Sequence, residues 1–544
     1  MSGSGPEAAA KRHPAGPPLM PDRRSMSGSG PEAAAKRHHA GPPLMPDRRS
    51  MSGELFGSTF SPPTPNGDFH LGHFAGPVLS SDVCARALRR RGHEVRFACS
   101  TDDNQTYVVT TARRLGEDPN ALIAHAFEQT SASLELAGIS VTGYTMTDAP
   151  YEEFVREFCT GLWRSGAFDL RTVDLPYDVA AQAFLTEAFM TGRCPHCLAH
   201  ARAGVCEACG LYNLPGQLLD NAEREVEYRS ARIWMLDLER HRALISEELL
   251  TRHRAGRPSL ARIIEKTLAA PLPSIPMTYP IEWGIPVEWD GVPGTINAWP
   301  EIFVGHLYWL GLTDPAPGMS ELVQFIGIDN GFYNAFVYTA LAALARRAGI
   351  AEPPARRTIT NNYLQLGGRK FSTSKGDVIW ARQFLADVGR DRARFVLALK
   401  APDFQHAEFT MESARDTLNE RFDTPLRRLA VAFAAVPPRL DARDFPHPEQ
   451  WWTTALTAST GRFDEAYDLD TFSTKAAAEA FALHIEVLLL GYTTRDMSRI
   501  EEQAGAVRFL HALATLADPI VPDIAATVAS LFDARLAVSD PVAV

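Results

Sequence analysis

The chain has 544 residues, enough for two or three domains with sizeable cores, and 45% hydrophobic with 22% charged residues is ordinary for a globular enzyme. A net charge of −11 argues against broad, nonspecific nucleic-acid binding, and no apolar run is expected to approach the length of a membrane span. The N-terminus lacks an apolar secretory core, and seven cysteines, four of them clustered, fit a reducing cytoplasm better than a disulfide framework.

Residues 1–50 are a tandem repeat: MSGSGPEAAAKRHPAGPPLMPDRRS recurs at once with His39 in place of Pro14. Rich in Pro, Gly, Ala and Arg and without apolar periodicity, this segment is expected to be disordered, a leader upstream of Met51. The folded part should begin near Leu55. Leu55–Phe60 reads as a buried strand, Ser61–Gly67 as a turn, and a helix is expected from Leu71 to Arg91, closed by Gly92 before a second strand, Glu94–Cys99. A strand–helix–strand unit of this kind offers free N–H groups and a partial positive charge to a phosphate. His70 and His73 flank Gly72, which lets a nucleotide approach the backbone.

Further along, Cys194-Pro-His-Cys197 and Cys206-Glu-Ala-Cys209 form CxxC-x8-CxxC. Each pair places two thiolates on a tight turn, and Cys194, Cys197, Cys206 and Cys209 together make a closed S4 site for structural Zn2+. His196 and His200 are expected to face solvent, and Cys84, Cys99 and Cys159 to pack as small hydrophobes. Near residue 370 a glycine-bounded basic loop, Lys370-Phe-Ser372-Thr373-Ser374-Lys375-Gly376, suits closure over a triphosphate. From Phe409 onward the spacing of Leu418, Phe422, Leu426 and Leu429 predicts helices.

His70-Leu-Gly-His73 and the KFSTSKG loop, with the cysteine knuckle between them, resemble the HIGH and KMSKS signatures of class I aminoacyl-tRNA synthetases. Arg90-Arg-Gly-His-Glu-Val95, Thr101-Asp-Asp103, Trp283-Gly-Ile-Pro-Val287 and Phe325-Ile-Gly-Ile-Asp329 are similar to stretches of the methionyl-tRNA synthetases. The resemblance implies an α/β fold: a Rossmann-like nucleotide-binding domain (54–160 and 276–385), an insertion with the zinc knuckle (161–275) and a C-terminal α-helical bundle (386–544). It implies adenylation of an amino acid with ATP and Mg2+ at His70, His73, Lys370 and Lys375, with Gly72, Gly327, Asp329, Ser372 and Ser374 around the nucleotide. Asp102 should hold the α-ammonium group and Trp299 should line the amino-acid pocket.

The resemblance also fails in places. The second lysine of KMSKS falls on Thr373, and a family arginine near the phosphates falls on Tyr279. The methionine-pocket positions fall on Pro62, Thr64, His306 and Asn334, a more polar set than a thioether needs. Two anticodon-reading positions fall on Arg428 and Ala432, and no Trp follows Trp452 to stack on a base. These departures point to a repurposed synthetase that passes the acyl group to a small-molecule hydroxyl or N-hydroxyamine. Its product would then go to a separate zinc cupin protein that forms an N–N bond. The alternative is a methionine–tRNA ligase acting on tRNA, and a third reading is an inactive binding module.

Overall fold

The computed structural model describes residues 53–220, 226–311, 318–370, 378–435 and 447–538. The repeat at 1–50 and most of the KFSTSKG loop, including Ser372, Thr373, Ser374 and Lys375, lie outside the described residues.

Six strands form one parallel sheet in the order His253–Ala255, Ala355–Asn361, Met319–Gly327, Leu55–Phe60, Glu94–Ser100, Gly143–Thr145. Leu55–Phe60 is buried along most of its length, as a strand covered on both faces must be. Chain order runs outward from Leu55–Phe60 on one side and from Met319–Gly327 to Ala355–Asn361 on the other, where the earlier strand His253–Ala255 adds the edge, and the two central strands pair with Phe60 opposite Phe325. Their C-terminal ends therefore define the switch point, where an open α/β sheet leaves a crevice for ligand.

The helix expected over Leu71–Arg91 is interrupted. A short turn at Leu71–His73 leads into Phe74–Val78, where Gly76 leaves helical geometry (φ −98°, ψ −116°), and the regular helix spans Leu79–Arg90. Pro77 explains the break, since it has no N–H to give and its ring crowds the preceding turn. The bend brings Gly76 against Asn361 at the end of a neighbouring strand, where an added Cβ would sit 3.4 Å from Asn361 Cβ.

Residues 169–178 and 227–237 form a long antiparallel pair joined at its edges by 183–184 and 274–276, and the cysteine knuckle grows out of this smaller sheet. The chain then returns to the main sheet through His253–Ala255.

Helices Met411–Leu418, Thr424–Ala435, Gln450–Tyr467, Thr474–Thr494, Ile500–Leu516 and Pro522–Val538 form the C-terminal unit. Leu418, Phe422 and Leu429 are buried as their spacing predicts. Contrary to the expectation that no apolar run approaches the length of a membrane span, the helix Thr474–Thr494 is long and apolar enough by composition to cross one. Its apolar side, Phe481, Ile485 and Leu488 among it, is instead buried in the bundle core. Trp452 is fully buried, donates from its indole to Glu502 Oε2 (2.6 Å), and occupies space left by Gly491 and Gly505. A Cβ on either glycine would fall 2.0–2.1 Å from the indole. The bundle is tied to the sheet domain by Arg394, which donates to Asp82 Oδ2 (2.6 Å), Pro519 O (2.7 Å), Ile520 O (3.0 Å) and Ala137 O (3.1 Å). Burial pushes the Asp82 carboxyl up, but Arg394 and Arg86 override it and hold the group below its ordinary range.

Candidate active site

One cavity of about 330 Å³ opens at the switch point, a size ordinary for small-molecule sites. His70, Gly72 and His73 line it, as do Gly327 and Asp329 from the far side of the crevice. His70 and His73 cap one another: the His73 backbone N–H donates to His70 Nδ1 and the His70 N–H to His73 Nδ1, both at 3.3 Å. Their rings stack with centroids 3.7 Å apart and an interplanar angle of 13°. This reciprocal arrangement needs a ring acceptor at both positions three residues apart, which is the physical content of the HxxH spacing. A Cβ at Gly327 would lie 2.4 Å from Asp329 Oδ1, so only glycine lets that carboxylate fold back beside the strand end.

Asp102 follows the Glu94–Ser100 strand and donates its backbone N–H to Pro63 O (2.9 Å), joining the two loops that line the cavity. Its carboxyl is buried and held well above the ordinary range by burial first, then by Glu301 and Asp103. Glu301 is likewise pushed up to about 8 by burial, although Asn104 Nδ2 (2.7 Å) and Tyr151 Oη (3.0 Å) donate to Oε1. A cluster of carboxyls that resist ionisation without a cation is suited to receive an ammonium group.

Trp299 lines the same cavity and stacks on Tyr333 at 4.3 Å and 3°. Behind it lies Glu187, which the sequence reading missed. Its buried carboxyl accepts from Tyr279 Oη (2.8 Å) and from the Trp299 side chain, and burial raises it to about 7. Glu187 has a positive φ of 43°, rare for a side-chain-bearing residue, and an added Cβ on Gly204 would come 2.7 Å from its Oε2. Tyr279, expected near the phosphates as a lost cation, is thus part of the wall behind Trp299 and does not line the cavity.

Pro62, Thr64, His306 and Asn334 all line the cavity with Trp299 and Asp102. Arg356, Gln324, Asn334, Thr358 and His253 form a buried polar chain behind them. Arg356 donates to Gln324 Oε1 (3.2 Å) and Asn334 Oδ1 (3.3 Å), Gln324 Nε2 meets His306 Nδ1 (2.9 Å), and Thr358 Oγ1 donates to Asn334 Oδ1 (2.7 Å). Burial, then the Arg356 charge, pushes His306 down to about 3, so the ring is neutral. Lys370 closes a short strand with Arg369 that pairs with Leu364–Leu366, at the mouth where Tyr363 and Leu364 line the cavity.

The four knuckle cysteines bring their Sγ atoms within 4.8 Å of one another, with Cys194–Cys209 at 3.8 Å and Cys197–Cys206 at 3.7 Å. A tetrahedral zinc with Zn–S bonds near 2.3 Å requires S–S edges of about 3.8 Å, so the donor set fits the ion. His196 and His200 are exposed, and Cys84, Cys99 and Cys159 are buried. The knuckle reaches the cavity: Val205 and Glu207 line it, and Tyr363 Oη donates to Glu207 O (3.4 Å).

The sequence matches the family described as tRNA synthetases class I (M) over residues 59–429. The methionine–tRNA ligase of Bacteroides fragilis is 28% identical over 371 residues, 64% of this chain and 53% of that protein, so the match spans about half of that relative. The methionine–tRNA ligase of Pyrobaculum aerophilum is 30% identical over 415 residues, covering 68% of this chain and 69% of its own. Among solved structures, Mycobacterium tuberculosis methionyl-tRNA synthetase in complex with methionyl-adenylate superposes with a TM-score of 0.69 at 17% identity, over 88% of this chain and 94% of that one.

Proposed function

The chain belongs to the class I (M) tRNA synthetases, and from that premise we propose that it activates an amino acid with ATP, forming an aminoacyl adenylate and releasing pyrophosphate. The supporting observation is the stacked His70–His73 pair in one cavity with Asp102 on one side and Gly327 and Asp329 on the other. In this reading Asp102 holds the α-ammonium and the substrate carboxylate attacks the α-phosphorus. The bond from that phosphorus to the bridging oxygen breaks, and pyrophosphate carries the electron pair away. Gly72 allows close approach of the nucleotide, and Gly327 with Asp329 meets the ribose. Lys370 and Lys375, with Ser372 and Ser374, offset charge on the leaving group. Mg2+ would arrive with ATP, and zinc in the knuckle would hold Val205 and Glu207 in place without taking part in the chemistry.

The motif histidines act where charge builds in the transition state, so His73→Ala should slow ATP–pyrophosphate exchange by about 10²-fold or more with little change in ATP affinity. Unimpaired exchange in that variant would overturn the assignment.

For the acceptor, the reading is a small-molecule hydroxyl, such as that of an N-hydroxylated amine, which would displace AMP and leave as an ester for a separate zinc cupin. Its support is the helical unit. Trp452 is buried in its core, and Ala432, at a position expected to read a base, packs on that core as well. Transfer to tRNA is the second reading, favoured by the relatives, which are methionine–tRNA ligases. Charging of total tRNA, compared with ester formation on an N-hydroxylated amine, decides between them.

A further inference from the structure

The wall of the amino-acid pocket presents hydrogen-bond donors in an orientation the surrounding network fixes. Arg356 has only donors, so the Gln324 atom 3.2 Å from it is the amide oxygen and the amide nitrogen faces His306. That nitrogen donates to His306 Nδ1, which must be the bare nitrogen of the neutral ring, and the proton resides on Nε2. His306 is 3% exposed and lines the cavity, and its Nε2 has no partner among the described residues. Asn334, 2% exposed, is fixed in the same way. Its Oδ1 accepts from Arg356 and from Thr358, which leaves its amide nitrogen as a second donor, also without a partner among the described residues.

Behind both stands Arg356, 3% exposed. Its four hydrogen bonds go to Gln324 Oε1, Asn334 Oδ1, Asn334 O and Thr339 Oγ1, all neutral acceptors, and it makes no ion pair with any described carboxylate. A buried guanidinium without a counter-ion is expensive to keep. Asp102 lines the same cavity with Glu301 buried beside it, and Tyr338, also in the lining, lies within the electrostatic reach of both Asp102 and Arg356. The pocket thus combines Asp102, suited to an ammonium group, with two N–H donors backed by a buried guanidinium whose own hydrogen bonds all go to neutral acceptors.

We infer that the amino acid this chain activates carries a side-chain carboxylate, received by His306 Nε2–H and Asn334 Nδ2–H in the field of Arg356. The inference rests on the proposed adenylation. A thioether or an alkyl side chain would leave both donors buried and unsatisfied, and a site built for hydrogen bonds rejects a substrate that lacks them far more strongly than an apolar pocket rejects a wrong shape.

The test is exchange and calorimetric binding across the twenty standard amino acids, with the full chain loaded with zinc. Aspartate or glutamate should give the highest kcat/KM, about 10²-fold or more above methionine and clearly above its own amide. Fastest exchange with methionine, glycine or any uncharged amino acid would overturn the inference while leaving adenylation standing. Binding of an acidic amino acid without exchange would support the inference and overturn the adenylation reading. In Gln324→Glu the new carboxylate accepts from Nδ1–H, strips the proton from Nε2 and neutralises Arg356. That variant should lose the preference for acids while keeping its ATP affinity, and retained preference would refute the role given to His306.

Discussion

Glu301 sits beside Asp102 with one oxygen bonded and the other without a partner among the described residues, and its carboxyl is raised from 4.5 to about 8. The sign of the consequence follows from linkage. Between these values the unfolded chain has already lost the proton that the folded chain keeps, so stability falls as pH rises through the window. The melting temperature of the ligand-free protein should decline from about pH 4.5 to about pH 8, and Glu301→Gln should flatten the decline. Binding an ammonium group lowers the carboxyl again. Amino-acid binding at pH 7 should therefore release protons, visible as a dependence of the calorimetric enthalpy on the ionisation enthalpy of the buffer, and Glu301→Gln should reduce that release and leave the part that comes from Asp102. Asp102 was legible in the sequence because it stands at a strand end within a recognisable string. Glu187 was not, because it reaches Trp299 from the insertion and only the folded chain brings it beneath Tyr279.

The strand from Leu55 to Phe60, the turn after it and the spacing of the cysteines all announce themselves locally, through apolar continuity, proline and glycine density, and paired thiols. The bend at Gly76 and Pro77 did not, since the apolar pattern of a helix continues through it while the backbone departs. The knuckle is the element whose effect travels furthest. Through Glu207 and Tyr363 it touches the side of the cavity where Asp329 stands, and the Tyr363 side chain bonds to Asp329. Purified protein should carry about one equivalent of zinc, lost in Cys194→Ser with Cys206→Ser. Chelation should raise the KM for ATP more than the KM for the amino acid, because the Asp329 side of the cavity, proposed to meet the ribose, loses its support first. Metal analysis alongside exchange kinetics checks both, and a folded, active, zinc-free sample would contradict them.

Across the whole molecule, the order of the sheet and the place of the crevice follow from the topology, while the joint between sheet and bundle depends on contacts far apart in sequence. Asp82 and Arg394 are separated by more than half the chain and no periodicity links them, so this tie could not be read from the residues. Breaking a buried pair of this kind costs about 3–5 kcal/mol, and Arg394→Met should lower the unfolding midpoint in urea accordingly. Pairing it with Asp82→Leu should recover only part of the loss, because Arg394 also serves the carbonyls of Ala137, Pro519 and Ile520. The same joint bears on how the chain can evolve. If its acceptor is no longer an RNA, the bundle has no message left to read, yet it cannot be discarded without opening the floor of the catalytic half. Selection on those helices then acts through folding alone: solvent-facing positions such as Arg428 are free to wander, while Arg394, Trp452, Gly491 and Gly505 are held in place by a partner that is the protein itself.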